Sequence, residues 1–156
     1  NNDKKTGVET CKGGYNDLPV SRFMIKTADS QEITVPVYGI PQKDGTILMD
    51  KTQSVGSVIC PSTLTKETDL YAIRLMTNTL GYVIPQRSVL VVAPHAKVQD
   101  GDIVVVPLTD GKVLLASAGI ETNGLWFYRT FPQNTKKMIT FNEQKKLHRV
   151  VYIAIP

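Results

Sequence analysis

A short polar corner, Thr77-Asn78-Thr79, separates two apolar stretches of the sequence, at residues 70–76 and 88–93. Each apolar stretch has the length of a buried strand. A hydroxyl held between two such strands can act as a nucleophile, provided that a neighbouring base removes its proton. Thr79 is therefore the first candidate for chemistry, and Ser88, at the start of the second stretch, is the fallback. The structural alternative for Ser88 is a polar residue that starts a strand.

The remaining ionisable residues form no recognisable catalytic set. His95 follows a proline in a predicted loop, where no carboxylate lies nearby in the sequence to orient it. His148 belongs to a basic run, which predicts a surface position. Asp102 and Glu121 are isolated carboxylates, so the pattern does not indicate the paired acids of a glycosidase.

Neither a metal nor a cofactor is predicted. The two cysteines, Cys11 and Cys60, have no CxxC partner and no histidines at zinc-ligand spacing. Gly111-Lys112 lacks the other residues of a phosphate-binding loop. Two isolated cysteines fit a reducing, cytoplasmic setting best, and a single disulfide in a secreted protein is the alternative.

Length and composition are those of an ordinary globular domain. The chain has 156 residues, of which 42% are hydrophobic and 21% charged, which is enough for one domain with a substantial core. No apolar run approaches the roughly 18 residues that a transmembrane helix needs, so no membrane association is predicted. The net charge of +4 permits a nucleic-acid surface, but the basic clusters lack the interleaved aromatic residues of a base-stacking platform.

The N-terminal part of the chain differs from the rest. Residues 1–20 are polar and contain several glycines, which predicts a flexible leader or linker, and residues 21–156 are predicted to form the folded domain. The leader lacks the apolar segment of a signal peptide. Because the chain does not begin with Met, we expect a fragment or a processed product with an upstream part.

Short alternating or continuous apolar segments predict a mainly β domain with many short strands and little helix. Residues 101–107 and 112–116, joined by the tight-turn pair Asp110-Gly111, predict a hairpin. Residues 62–68 are predicted to hold the only helical turn, capped by Ser62 or Thr63. Further strands are predicted at residues 21–26, 32–38, 46–49, 57–60, 125–129, 138–141 and 148–155.

Several segments resemble, in their order and spacing, one known family: the C-terminal domains of LexA, UmuD and phage repressors, which are self-cleaving Ser/Lys peptidases. The resemblance spans residues 35–156 and implies a LexA/signal-peptidase-like β fold. It also implies that the first segment leads to a cleavage loop and that the hairpin carries a catalytic lysine. The segments are Val35-Pro-Val-Tyr-Gly39, Ile59-Cys-Pro61, Tyr71-Ala-Ile-Arg-Leu75, Val89-Leu-Val-Val92, Gly101-Asp-Ile-Val-Val-Val106, Gly111-Lys-Val-Leu-Leu115, Phe131-Pro-Gln-Asn134 and Arg149-Val-Val151.

The catalytic residues of that family are not matched in this chain. Its Gly-Asp-Ser-Met motif falls on Thr77-Asn78-Thr79-Leu80, and its lysine falls on Ala116. Alanine cannot take the hydroxyl proton as a desolvated lysine does. Lys112 lies four residues earlier, about 13 Å away at ~3.3 Å per residue, which is beyond hydrogen-bond reach. The expected cleavage region, residues 40–44, contains no small residue followed by glycine.

The last strand is apolar at nearly every position. An exposed apolar edge strand invites pairing, so this strand is expected to lie centrally in the sheet or to pair across a two-fold axis. In the resembled family the C-terminal domains dimerise, partly through the last segment. The predicted dimer interface is Val150, Val151, Tyr152, Ile153 and Ile155.

Together these expectations describe a domain that is not an enzyme. The resemblance implies the C-terminal oligomerisation and regulatory domain of a phage-type transcriptional repressor, a homodimer or higher homo-oligomer whose upstream helix-turn-helix binds operator DNA. Because it cannot cleave itself, an antirepressor protein or another partner is expected to relieve repression. The alternatives are a divergent self-processing peptidase of the LexA type that uses Thr79 or Ser88, and a β-rich binding module unrelated to repressors.

Overall fold

Short strands dominate the backbone because most segments between turns are rich in β-branched and other apolar residues. The computed structural model describes residues 31–81, 83–130 and 135–156. Over these ranges it is mainly β with little helix, as predicted: eleven strands, a 3-10 helix at Ser62–Lys66 and one α-helix, α1 (Phe141–Gln144). The strands are β1 (Glu32–Tyr38), β2 (Ile40–Pro41), β3 (Ile47–Leu48), β4 (Gly56–Pro61), β5 (Tyr71–Arg74), β6 (Val89–Ala93), β7 (Ile103–Pro107), β8 (Lys112–Ile120), β9 (Trp126–Arg129), β10 (Lys136–Met138) and β11 (His148–Ala154).

These strands form one curled, mixed sheet in the order β10-β9-β8-β7-β11-β6-β5-β1-β4. Among the described strands, only β1 and β5 pair in parallel. The β2–β3 hairpin branches from this order and joins β8, where Ile47 and Leu48 pair with Val113 and Lys112. The chain passes from β1 through Gly39 into β2. The pairing of β3 with β8 therefore connects the β1 end of the sheet to β8.

Alternation of side chains along the strands gives this sheet two buried faces. On β5, Ile73 belongs to one apolar cluster together with Leu115 of β8. Ala72, its neighbour, packs on the other face with Val91. A third cluster lies around Ala116, next to Leu115 but on the opposite face of β8. Neighbouring residues on one strand therefore pack into different apolar clusters, on opposite faces of the sheet.

The β7–β8 hairpin forms as predicted. Asp110 and Gly111 both adopt left-handed φ angles, of 59° and 74°, and the Lys112 amide donates to the Thr109 carbonyl at 3.2 Å. This is the type I′ geometry, whose twist matches that of the flanking strands. The turn fixes the register between β7 and β8, and with it the face to which each β8 side chain points.

The helical segments depart from the prediction. Residues 62–66 do turn, but as a 3-10 helix whose N-cap is Pro61, and no side chain caps it. The expectations that Ser62 or Thr63 would cap this turn, and that it would be the only one, were wrong.

A second departure lies at residues 138–141, which were predicted to be a strand. The strand β10 ends at Met138 instead, and α1 begins at Phe141. Thr140 Oγ1 accepts from the Glu143 amide at 3.1 Å, and the Glu143 carboxylate accepts from the Thr140 amide at 3.0 Å. This reciprocal capping box satisfies two amides of the first helical turn, which explains why the helix starts there.

The chain divides into two units, Asn1–Gln31 and Glu32–Pro156, and all the elements above belong to the second. The predicted leader at residues 1–20, the domain start at residue 21, the strand at residues 21–26 and the family-like segment at residues 131–134 lie outside the described residues. Within the described ranges, no helix has the length and apolar character needed to cross a membrane.

Candidate functional site

Three segments that are distant in the sequence meet at Thr79. The corner follows β5, the β2–β3 hairpin lies beside it, and Leu115 of β8 completes the same cleft. The hairpin falls in the region that was expected to carry a cleavage loop, so that region lies next to the candidate nucleophile. The cleft is lined by Pro41, Gln42, Gly45, Thr46, Ile47, Arg74, Leu75, Met76, Thr77, Thr79 and Leu115.

Close backbone packing positions the hairpin. At Gly39, φ is 113° and an added Cβ would lie 2.9 Å from Ile47 Cγ2, so glycine is needed where β1 turns into β2. After β3, the Met49 amide donates to the Gly111 carbonyl at 3.0 Å. The start of the hairpin at Gly39 is thus packed against Ile47 of β3, and its end at Met49 is bonded to the β7–β8 turn.

The tip of the hairpin is closed by its own polar groups. The Gln42 amide donates to the Thr46 carbonyl at 2.9 Å, and Thr46 Oγ1 donates to Asp44 Oδ1 at 2.6 Å. The hydroxyl of Thr46, followed by its amide, lowers the pKa of the exposed Asp44 carboxyl. Lys112 Nζ lies 3.8 Å from Asp44 Oδ2, so this lysine is directed to the tip and does not line the cleft.

None of the described residues that line the cleft can act as a general base. They include no carboxylate, imidazole, lysine or thiol, and the one charged residue among them is Arg74, whose guanidinium stays protonated. The cavity volume is about 20 Å³, which is room for about one water molecule. Thr79, half-buried, therefore has a hydroxyl but no proton acceptor among the residues around it.

The side of β8 that faces Thr79 is not the one that carries Ala116. Ala116 is fully buried in the cluster with Val104 and Tyr128, whereas Leu115 lines the cleft. Successive residues of a strand point to opposite faces, so the residue opposite Thr79 is Leu115, one position before the predicted base position. Neither side chain can accept a proton.

Ser88, the fallback nucleophile, is fully buried just before β6. Its Oγ donates to the Pro85 carbonyl at 2.7 Å, and its own carbonyl accepts from the Leu75 amide at 2.8 Å. A buried hydroxyl whose proton is held by a carbonyl stabilises the turn between the two strands. This position fits the structural alternative for Ser88. Nearby, the Asn78 carbonyl accepts from the Gly81 amide at 2.9 Å, so Asn78 contributes to the corner through its backbone.

The isolated carboxylates have structural partners. Asp102 Oδ2 accepts from the Gln99 amide at 2.7 Å and lies 3.3 Å from Arg149 Nε. Glu121 forms an ion pair with Lys136. Neither carboxylate lines the cleft at Thr79.

The last strand, β11, lies inside the sheet only in part. It pairs with β6 from Arg149 to Ala154, but with β7 only at His148 and Arg149. Beyond Arg149, no described strand pairs with β11 on its β7 side. The strand is thus central in the sheet at its start, as one of the two predicted arrangements required, and open along one edge towards its end.

The predicted interface residues do not share one face. A register shift between Val150 and Tyr152 marks a bulge, and a bulge reverses the alternation of side chains. Val150 and Ile153 therefore pack against the cluster around Ile73, whereas Val151 and Tyr152 pack against the cluster on the other face. All four are partly exposed, and Ile155 is 61% exposed.

His148 was predicted to lie at the surface, but it is partly buried. It is the first residue of β11 and half-buried, and its Nδ1 lies 2.6 Å from the hydroxyl of Tyr71, 77 residues away in the sequence. Burial, followed by the charges of Lys51 and His95, lowers the pKa of His148. Burial raises the pKa of Tyr71, so the phenol keeps its proton and can donate it to the imidazole.

His95 does have an orienting carboxylate, which the sequence did not reveal. Its Nε2 lies 2.8 Å from Asp69 Oδ2, and the two side chains are 63% and 74% exposed. The pair is thus at the surface, where such contacts contribute little to stability. The described residues contain no group of three or more His, Cys, Asp or Glu side chains placed to hold a metal ion.

The lowered pKa of His148 predicts a loss of stability in acid. Its imidazole binds a proton less strongly in the folded chain than in the unfolded chain, where the ordinary value is 6.5. Between the two pKa values the unfolded chain therefore binds more protons, so the free energy of unfolding should fall as the pH drops below about 6.5. Urea unfolding across this range should show the fall, and His148→Gln should reduce it. His95→Gln is the control and should keep most of it; an unchanged slope in His148→Gln would contradict the assignment.

No protein-family model matches this chain, and no curated protein matches it either. The site must therefore be judged by its own residues. Sequence reasoning located Thr79 and the hairpin segment but missed Leu115, whose facing depends on the β7–β8 register. It also missed the Tyr71–His148 pair, for which the sequence carries no local signal because the partners lie on strands far apart in the chain.

Proposed function

We propose that residues 21–156 form the oligomerisation and regulatory domain of a phage-type transcriptional repressor that resembles LexA and cannot cleave itself. One observation carries the proposal: the hairpin, the Thr79 corner and β8 meet in a single cleft, and none of the described residues that line this cleft can act as a general base. The arrangement is what a self-cleaving domain would need for its cleavage segment and nucleophile. Self-cleavage would also need a general base, which the described residues of the cleft do not supply.

The inability to cleave rests on proton transfer. A threonine hydroxyl becomes a useful nucleophile near neutral pH only when a base removes its proton. A base must lie within about 3 Å of the hydroxyl, directly or through one water. Leu115 occupies the facing position on β8 and Lys112 is directed to Asp44, so the nearest candidates are either apolar or engaged elsewhere.

In the proposed function, the domain acts by joining two DNA-binding heads. A helix-turn-helix upstream of residue 1 would bind one half of a two-fold operator, and dimerisation of residues 21–156 would hold two such heads at half-site spacing. Linking the two binding events raises the overall affinity because the second head binds at a high effective concentration. Operator DNA and a second copy of the chain are the proposed partners, in the cytoplasm.

Relief of repression then requires a partner rather than cleavage. We propose that an antirepressor protein binds this domain and changes its oligomeric state or the DNA occupancy of the whole repressor. The open edge of β11 beyond Arg149 supports dimerisation by strand pairing, and a competitor for that edge would separate the two heads.

The experiment that tests the proposal is sedimentation equilibrium of the purified chain over a wide concentration range. A reversible monomer–dimer equilibrium, or a higher assembly built from dimers, is expected. A chain that stays monomeric at every concentration would remove the basis for linking two heads, and the proposal with it.

The second candidate, a divergent self-processing peptidase, is favoured by the position of the hairpin beside Thr79. It predicts a cut within residues 39–45 during prolonged incubation at alkaline pH, where lysine bases are neutral. We expect the intact mass of the chain to stay unchanged under these conditions, because none of the described residues that line the cleft is a base. Thr79→Ala is the matched control for cleavage by a contaminating protease. A cut that appears in the parent chain and not in Thr79→Ala would establish the peptidase instead.

A further inference from the structure

A second, larger cavity lies on the opposite face of β8 from the Thr79 cleft. Its volume is about 160 Å³, and it is lined by residues from the end of β7, from β9 and β10 and from the segment around α1. Its buried surface is apolar: Val106, Tyr128 and Leu147 are exposed by 6%, 7% and 3%. Leu108, 39% exposed, stands at the border of the cavity with solvent.

The size of this cavity matches a single small ring. An apolar cavity of about 150 Å³ in another protein stays dry when empty and binds benzene. The cavity of 160 Å³ is open to solvent on its charged side, so it can hold one aromatic ring with one face against Tyr128 and Leu147. Such a ring would contact apolar and aromatic surface, with offset or edge-on contact to the Tyr128 ring.

The charged residues of the lining are two lysines and one glutamate: Lys137, Lys146 and Glu143. The Glu143 carboxylate accepts from the Thr140 amide at 3.0 Å as part of the capping box. Those hydrogen bonds, followed by the charges of the two lysines, lower the pKa of Glu143. Within the described residues, neither lysine has a carboxylate within 4.0 Å.

This arrangement gives the cavity an apolar interior and an excess of positive charge. The Glu143 carboxylate is held at the start of α1 and offsets one of the two positive charges, so the two lysines and this carboxylate give the lining a net charge of +1 towards a bound anion. A ligand with a ring and one carboxylate would bury the ring and pair its charge with the lysines. A neutral ring would lose the ionic contribution, and a cationic ring would meet like charge.

We propose that this cavity is a binding site for a small aromatic carboxylate of benzoate size. The ring lies against Tyr128 and Leu147, and the carboxylate faces Lys137 and Lys146. The proposal goes beyond the regulatory function above and does not rest on it, since a cavity on this face would bind its ligand in a monomer or a dimer.

The test is a titration of the purified chain with three probes of nearly equal size: benzoate, benzyl alcohol and benzylamine. Binding is followed by two-dimensional amide NMR and quantified by the shifts at Leu108, Tyr128 and Leu147. Benzoate should bind saturably and at least tenfold more tightly than benzyl alcohol. Benzylamine should bind more weakly still. Equal affinities for the three probes, or no saturable shift up to the solubility limit of benzoate, would overturn the proposal.

Matched lysine variants locate the charge. Lys137→Gln and Lys146→Gln should each weaken benzoate binding about three- to tenfold and leave benzyl alcohol binding unchanged. Lys145→Gln is the control, because Lys145 lies over the Phe141 ring, 4.4 Å from its centroid, and does not line the cavity. If Lys145→Gln weakens benzoate binding as much as the other two, the effect is one of net charge and the site assignment fails.

A steric variant tests the cavity itself. Leu108→Trp adds a large side chain at the border of the cavity, where partial exposure leaves room for the fold to accept it. It should abolish benzoate binding, while its circular dichroism stays that of the parent chain. If Leu108→Trp does not fold, Leu108→Phe gives the same comparison with a smaller change. Undiminished benzoate binding in a folded variant would show that the ligand lies elsewhere.

Discussion

Replacing Ile73 by alanine is expected to lower the free energy of unfolding by about 2–5 kcal/mol. Ile73 lies on β5, four residues before the polar corner begins at Thr77, and is fully buried. It packs in the cluster that also holds Leu90 and Leu115, so its side chain joins β5 to β6 and β8. Removing it loses the transfer free energy of the side chain and leaves a cavity in a close-packed interior.

This effect should contrast with that of the candidate nucleophile a few residues away. Thr79→Ala removes a half-buried hydroxyl for which the described residues provide no hydrogen-bond partner, so its effect on the free energy of unfolding should stay within about 0.5 kcal/mol. Urea unfolding followed by the fluorescence of Trp126 measures both. Thr79→Ala should also leave dimerisation unchanged, because the proposed function does not use the hydroxyl.

The matched control for Ile73→Ala is Ile120→Ala, which makes the same chemical change at a residue that is 42% exposed. It should cost less than about 1 kcal/mol, because little apolar surface is lost and no cavity forms. A loss at Thr79 as large as that at Ile73 would mean that the corner contributes contacts that the described structure does not contain. The Thr79 hydroxyl would then have a structural role of its own.

Replacing Ile155 by aspartate is expected to weaken dimerisation at least tenfold, which corresponds to about 1.4 kcal/mol. Ile155 follows β11, is 61% exposed and belongs to the predicted interface. In a two-fold interface the same residue occurs twice, so each substitution places two carboxylates where apolar surface would otherwise be buried. Sedimentation equilibrium of the variant and the parent chain measures the change in the dissociation constant.

Ile155 is the best residue for this test because its side chain is the least involved in the core. Val150 and Ile153 pack against the cluster around Ile73, so charges there would unfold the domain as well as disturb an interface. Ile59→Asp is the control: Ile59 lies on β4, at the far end of the strand order, and is 59% exposed. If both variants weaken the dimer equally, or Ile155→Asp has no effect, the interface does not lie at the end of β11.

The sequence alone determined the class of the fold and many of its local turns. Apolar segments of strand length predicted β6, β7 and β8 because continuous burial requires continuous apolar sequence. Asp110-Gly111 predicted the tight turn between β7 and β8 because aspartate and glycine tolerate the left-handed φ angles that such turns need. Residue types also predicted that the β8 position matched to the family's lysine, Ala116, cannot accept a proton.

Other features depended on contacts between distant parts of the chain, and these only the tertiary structure decided. Leu115 rather than Ala116 faces Thr79 because a shift of one residue in register reverses the face of every side chain. The bulge in β11 separates Val151 and Tyr152 from Val150 and Ile153, and no local pattern marks it. His148 reaches Tyr71 only because β11 and β5 both flank β6. Residue types thus fixed which chemistry was possible, whereas strand register and sheet order decided which residues face one another.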